Sequence, residues 1–240
     1  MSLLVTVGQP REGAAAARFA KELAGINQAL DEAKLDWHRE PEAEGQGWQA
    51  TLPGPEALHA LGEIAGLIWK GRPIPGDRPI DGRDTPTETA LFEAILPHVF
   101  AARRPQRRIL FGRRRVIEPP PFAHLTVHSD SEGAYVPADF ALPLVPVKMP
   151  KGTESYWPLG SAPRLAAELA RIAEALGIPD GLTHEDPALA DLAPRAGSLW
   201  QAQPLAVYSC RVLQAACVKS LATGAAICFD TPGGPGEKEG

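Results

Sequence analysis

The chain has 240 residues, 44% of them hydrophobic, with 29 acids against 24 bases and a formal net charge of -5. That length is enough to bury one substantial core, and an acidic balance argues against bulk attraction to nucleic acid or anionic lipid. No run approaches the roughly 20 apolar residues of a spanning helix; the start MSLLVTVGQPREG lacks the apolar core of a signal peptide, and Cys210, Cys217 and Cys228 lie in apolar surroundings that suit reduced thiols. A cytoplasmic protein is the expectation.

Residues 3–7 read as a short strand. Over 14–35, Phe19, Leu23, Ile26 and Leu30 recur at helical spacing and form one apolar stripe. A second helix is predicted over 56–70, with Leu58, Leu61, Ala65 and Ile68 on its stripe and Pro55 near its start. Residues 71–86 are dense in proline, glycine and charge and read as an exposed loop or insertion. Leu91, Ile95 and Val99 define a further helix over 87–100, which Pro97 is expected to kink or end early.

A basic, proline-rich connection follows over 101–121. Its seven arginines are Arg103, Arg104, Arg107, Arg108, Arg113, Arg114 and Arg115, and removing those seven from the count takes the net charge from -5 to -12. Such a run could grip nucleic acid, a phosphorylated ligand or an acidic partner, or fold back on the chain's own acidic surface.

Residues 123–140 alternate as two short strands around a turn at 130–133, where Gly133 would supply a positive φ. Counting outwards, His128 opposes Tyr135 and His124 opposes Asp139. Leu125, Val127, Val136 and Ala138 then form an apolar face, and His124, Thr126, His128, Tyr135, Pro137 and Asp139 a polar one, with Asp130 and Glu132 at the tip. A carboxylate beside an imidazole can orient a general base. Turn chemistry alone explains Asp130 and Glu132 equally well. Pro137 lacks a ladder donor, so its strand is expected at an edge.

Ser161 is placed to cap a helix carrying Leu165, Leu169, Ile172 and Leu176, stopped by Gly177 and Pro179. Thr183 and Asp186 mark a short helix. Residues 204–223 form a helix apolar nearly all round, hence central, and 225–229 a core strand. Trp157 and Trp200 are expected in the core, and the tail 231–240 is expected to be disordered. No GxGxxG, P-loop, HExxH, CxxC or GxSxG is present, so neither a cofactor nor a metal is predicted; His124, His128 and an acid form only a weak metal set.

These stretches together resemble a widespread bacterial family of uncharacterised proteins. The carriers are HSDSEGAYVPADF (128–140), LGS (159–161), LGI (176–178) and GAAICF (224–229), with GINQAL and WHREPE linking the first half more loosely. The resemblance implies an α+β bacterial cytoplasmic protein and brings no established activity.

The resulting expectation is one α+β domain over 1–230, dominated by helices, whose small antiparallel sheet is built from the 123–140 hairpin and the 225–229 strand. A non-enzymatic protein that binds another protein, of regulatory or immunity-inhibitor type, is the leading reading. It rests on strong charge segregation without a complete catalytic constellation. A small-molecule-binding or hydrolase-like protein using His124, His128, Tyr135 and Asp139 is the alternative, and nucleic-acid contact through the arginine run is the second.

Overall fold

The computed structural model describes residues 2–8, 13–41, 47–102, 120–128, 133–146 and 158–230, with only the backbone described at 13–22 and 230. The elements are β1 (Leu3–Val7), α1 (Gly13–Glu32), β2 (Trp48–Leu52), α2 (Glu56–Trp69), α3 (Pro86–Ala102), α4 (Ala123–Thr126), β3 (Ala134–Val136), β4 (Leu159–Ser161), α5 (Ala162–Leu176), α6 (Leu199–Ala202), α7 (Pro204–Thr223) and β5 (Ile227–Asp230). A 3₁₀ turn, Pro187–Leu189, precedes α6. The chain is thus one helix-dominated α+β domain built on a mixed sheet.

The strand order is β2-β1-β5-β3-β4. All neighbours pair antiparallel except β3 and β4, which run parallel. Strand parity divides the apolar residues between two cores. Leu3, Val5, Val7, Leu52, Tyr135 and Ile227 face the larger one, beneath α2, α5 and α7. Ala134, Val136, Leu159, Ala226 and Cys228 face a smaller one, closed by Ile26, Ala29 and Leu30 of α1. The helix read as apolar all round is α7, and it buries Ala206, Val207, Cys210, Val212, Leu213, Ala216 and Cys217 against the sheet and α5. The three thiols are free and buried.

The hairpin expected over 123–140 is corrected. Residues 123–126 form a single helical turn, and β3 bonds to β4 and β5 instead of to the segment before it. The alternating pattern misled because both of its supposed faces are buried: His124, Leu125, Thr126, Val127 and His128 are all inside. Phe122, at φ 67, turns the chain into α4. The edge expected at β3 is also corrected, since β3 lies inside the sheet and ends at Val136, one residue before Pro137. Gly133 has φ 84. α3 continues through Pro97 to Ala102. The expected short helix after Thr183 is the 3₁₀ turn, capped by Asp186, which accepts from the Ala188 amide at 2.8 Å. The arginine run, Asp130, Glu132, Trp157 and the tail 231–240 lie outside the described residues.

The 71–86 loop is largely exposed yet pinned at one point. Gln203, 1% exposed, accepts from the Ile80 amide at 2.8 Å and donates to the carbonyls of Pro75 and Arg78 at 2.6 and 2.8 Å. Replacing Gln203 with alanine removes all three bonds and should cost about 2–3 kcal/mol. The local readout is limited trypsin digestion: cleavage after Arg83, the arginine of this loop that is not followed by proline, should accelerate more than cleavage elsewhere. An unchanged cleavage rate there would mean that something other than Gln203 holds the loop.

Candidate functional site

The predicted polar face divides into two unrelated parts. Asp139 is exposed and ion-paired with Arg164 of α5, so the proposed meeting of His124 with Asp139 does not occur. His124, His128 and Tyr135 come together in the interior, each about 1% exposed. His128 stacks on Tyr135 with ring centroids 4.2 Å apart. The Tyr135 hydroxyl donates to the His124 carbonyl at 3.0 Å.

The hydrogen bonds assign the protons. His124 Nδ1 accepts from the Ser161 amide at 3.0 Å, so a neutral ring carries its proton on Nε2. His128 faces two acceptors, the His124 carbonyl at 2.8 Å from Nδ1 and the Pro158 carbonyl at 3.2 Å from Nε2. A neutral ring can donate to only one of them. A second proton would satisfy both carbonyls, but desolvation outweighs that gain and lowers His128 from 6.5 to about 4. Burial, and then the neighbouring His128, lower His124 to about 3.

Glu168 on α5 completes this cluster. Its two oxygens accept from the amides of His124 and Leu125 at 3.1 and 2.8 Å, capping α4 from a separate helix. Desolvation raises its carboxyl to about 7 against those two amides and the nearby Arg171. Glu63 on α2 does the same for α3: Oε2 accepts from Thr87 and Glu88 amides at 2.9 and 3.0 Å. Glu88 in turn meets His59 Nδ1 at 3.0 Å. These buried acids and imidazoles tie helix ends and strands to one another, and among the described residues none of them lines either of the two clefts found. Burial likewise pushes the Cys210 and Cys217 thiols up to about 12, which leaves them unreactive as nucleophiles.

Among the described residues no group of three or more His, Cys, Asp or Glu could hold a metal ion, and no helix is long and apolar enough to cross a membrane. A cleft of about 350 Å³ opens between β2 and the 3₁₀ turn, with Glu185, Asp186, Thr51 and Tyr208 on its walls. Asp186 is already committed to its cap. His184, also on the wall, stands edge-on to Tyr208 with ring centroids 6.5 Å apart, and the Tyr208 hydroxyl donates to the Thr51 carbonyl at 2.9 Å.

The outer surface is different. Asp31, Asp36, Asp77, Glu93, Asp180 and Glu185 are all exposed. One corner also carries a large aromatic: Trp37, 67% exposed, just beyond the end of α1. The segment that holds it is anchored on both sides. Leu35 and Lys34 amides close the helix end on Leu30 and Asp31 carbonyls, both at 2.9 Å, with Lys34 left-handed at φ 59. Asn27 bonds the His38 amide at 2.7 Å and its carbonyl at 3.1 Å. His38 meets Glu40 at 2.7 Å, and Glu40 accepts from the Ala226 amide at 3.0 Å. Asn27 belongs to GINQAL, and Trp37, His38 and Glu40 to WHREPE. Neither stretch was singled out as a site from the sequence, although an aromatic following acids at a helix C-terminus was the available signal.

The fold therefore defines an α+β protein whose thiols and two of whose histidines, His124 and His128, are buried, and whose described surface carries exposed carboxylates alongside exposed arginines and lysines. The chain belongs to the family described as "Putative DNA-mimic protein", whose model it matches over residues 1–229. DNA mimics bind DNA-binding proteins in the place of DNA. The match extends through the first half, which the motifs alone had tied only loosely to a family. No curated protein and no solved structure matches the chain.

Proposed function

We propose that this protein inhibits a DNA-binding protein by occupying, with its own carboxylates, the surface that protein offers to DNA phosphates. The family match over residues 1–229 carries the reading. The surface chemistry supports it. Phosphate recognition depends on Arg and Lys, and fixed carboxylates satisfy the same donors. Glu63, Glu88 and Glu168 are engaged inside the fold, so it is the exposed acids that would meet a partner. A bacterial regulator or immunity-type inhibitor would use such a surface to compete with DNA without sharing its sequence.

The test uses host extract passed over immobilised duplex DNA. Adding the soluble protein should release a defined subset of the retained proteins, while the protein itself is not retained. Release of nothing would overturn the proposal. Retention of the protein itself, with affinity falling steeply as salt rises, would overturn it differently, by assigning Arg103 to Arg115 as a nucleic-acid contact.

A further inference from the structure

We infer that Trp37 is the anchor of the partner interface: its indole receives an arginine side chain from the partner's DNA-binding surface, and Asp36, Asp31 and Glu32 receive its charge. The inference rests on the DNA-mimic reading and adds where the partner docks and by what chemistry.

Three observations lead there. The first is exposure without mobility of attachment. Trp37 is 67% exposed, whereas both of its flanks are fastened: the helix end by its closing amides, and His38 by the two Asn27 bonds and by Glu40. Exposing two thirds of an indole forfeits most of its burial energy. A large aromatic presented on a preorganised segment is the usual form of an interface anchor, because little entropy is lost when it docks.

The second is charge placed against local stability. Asp31 and Glu32 stand in the last turn of α1, which has no basic residue. Carboxylates at a helix C-terminus oppose the helix dipole, so this order weakens the helix and deepens the negative potential at its end. Asp36, the residue before Trp37, adds a third exposed carboxylate to the segment. Lys34 and Arg39 are also exposed on this segment and offset part of the charge. The corner is therefore not a bare acidic patch; its distinguishing element is the indole.

The third is the match between this pair of groups and one side chain. A guanidinium stacks on an aromatic face while its edge donates to a carboxylate, and lysine cannot do both as well. DNA-binding surfaces carry arginine for the phosphate backbone. In the docked state the indole stands where a base face would lie, and the carboxylates where phosphates would.

The experiment compares immobilised wild-type protein, W37A and the triple variant D31N/E32Q/D36N, each loaded with the host proteins that bind duplex DNA. Wild type should retain proteins that excess duplex DNA then displaces. Both variants should retain the same proteins about tenfold less well, or worse. As a reading within the intact fold, the fluorescence difference between wild type and W37F should shift to the blue on adding the displaced fraction. If wild type retains duplex-displaceable proteins and W37A retains them equally, the placement is wrong and the DNA-mimic reading stands. If wild type retains none, the DNA-mimic reading falls and takes this inference with it. If W37A instead abolishes self-association of the protein in sedimentation, the occupant is a second copy, and the inference is overturned.

Discussion

Between pH 6.5 and pH 4.5 the protein is expected to lose stability, and the two buried histidines set the slope. Both rings have folded pKa values below the ordinary 6.5, about 3 for His124 and about 4 for His128. Above pH 6.5 the rings are neutral whether the chain is folded or not, and their contribution is fully present. Below it, the unfolded chain takes up protons that the folded one refuses, at about 1.4 kcal/mol per pH unit for each ring. Glu168 works in the opposite sense. Its carboxyl is raised to about 7 from 4.5, so its contribution is present at low pH and is lost as pH rises through that interval. One acid offsets one histidine, leaving a net loss of roughly 3 kcal/mol over the two units. That is a large share of the stability of an ordinary domain.

Urea unfolding midpoints across this range give the measurement. The variant H124N keeps an acceptor for the Ser161 amide but removes the titration, and it should flatten the slope by about 1.4 kcal/mol per unit. A wild-type profile that stays level from pH 6.5 to 4.5, or an H124N profile parallel to it, would show that these rings are not held neutral inside the fold.

Gly160→Ala should destabilise the protein by about 3 kcal/mol, which for a chain of this size lowers Tm by about 6–12 °C. Gly160 lies in β4 beside Tyr135, its partner in the parallel pair. A methyl group there would fall within the Tyr135 ring and 2.9 Å from His128 Cε1. The stacked rings occupy the space that a side chain at this strand position would fill. They have little room to retreat, because Tyr135 is 1% exposed and its hydroxyl is bonded to the His124 carbonyl. Gly181→Ala is the control, as a Cβ there meets nothing within 4 Å. Scanning calorimetry of the two variants should separate them clearly. Equal melting temperatures would mean that the rings do not press on the β4 backbone.

Features set by neighbours in the chain were legible in the sequence. The helix Pro204–Thr223 has the bounds that its apolar run and Gly224 imply. The Ser161 hydroxyl accepts from the Arg164 amide, and Gly177 ends α5 in the left-handed region, as their positions suggest. What failed was anything decided by a distant residue. α4 owes its first amides to Glu168, 44 residues from His124, and a period-two pattern gave no hint of that cap. The order of the 71–86 loop depends on Gln203, 123 residues from Ile80.

The candidate site was legible only in its chemistry. Counting charges pointed to an acidic surface and a protein partner, but the residues first chosen, His124, His128 and Tyr135, are interior groups. The exposed Trp37 passed unnoticed because a tryptophan in a sequence carries no mark of whether it will be buried. Its exposure is decided by Asn27 and Glu40 holding the segment from below.

β5 sits at the centre of the sheet, between β1 and β3, although it is the last strand among the described residues. Val5 pairs with Phe229, and Ala134 with Cys228. During synthesis the earlier strands must therefore wait, with an open gap between them, until nearly every described residue has left the ribosome. The strand that joins the two halves of the sheet is supplied after both of them, so completing the sheet depends on contacts between sequence-distant segments. Truncation just after α7 would remove β5 and leave two unconnected sheet fragments, β2-β1 and β3-β4, each with a raw edge.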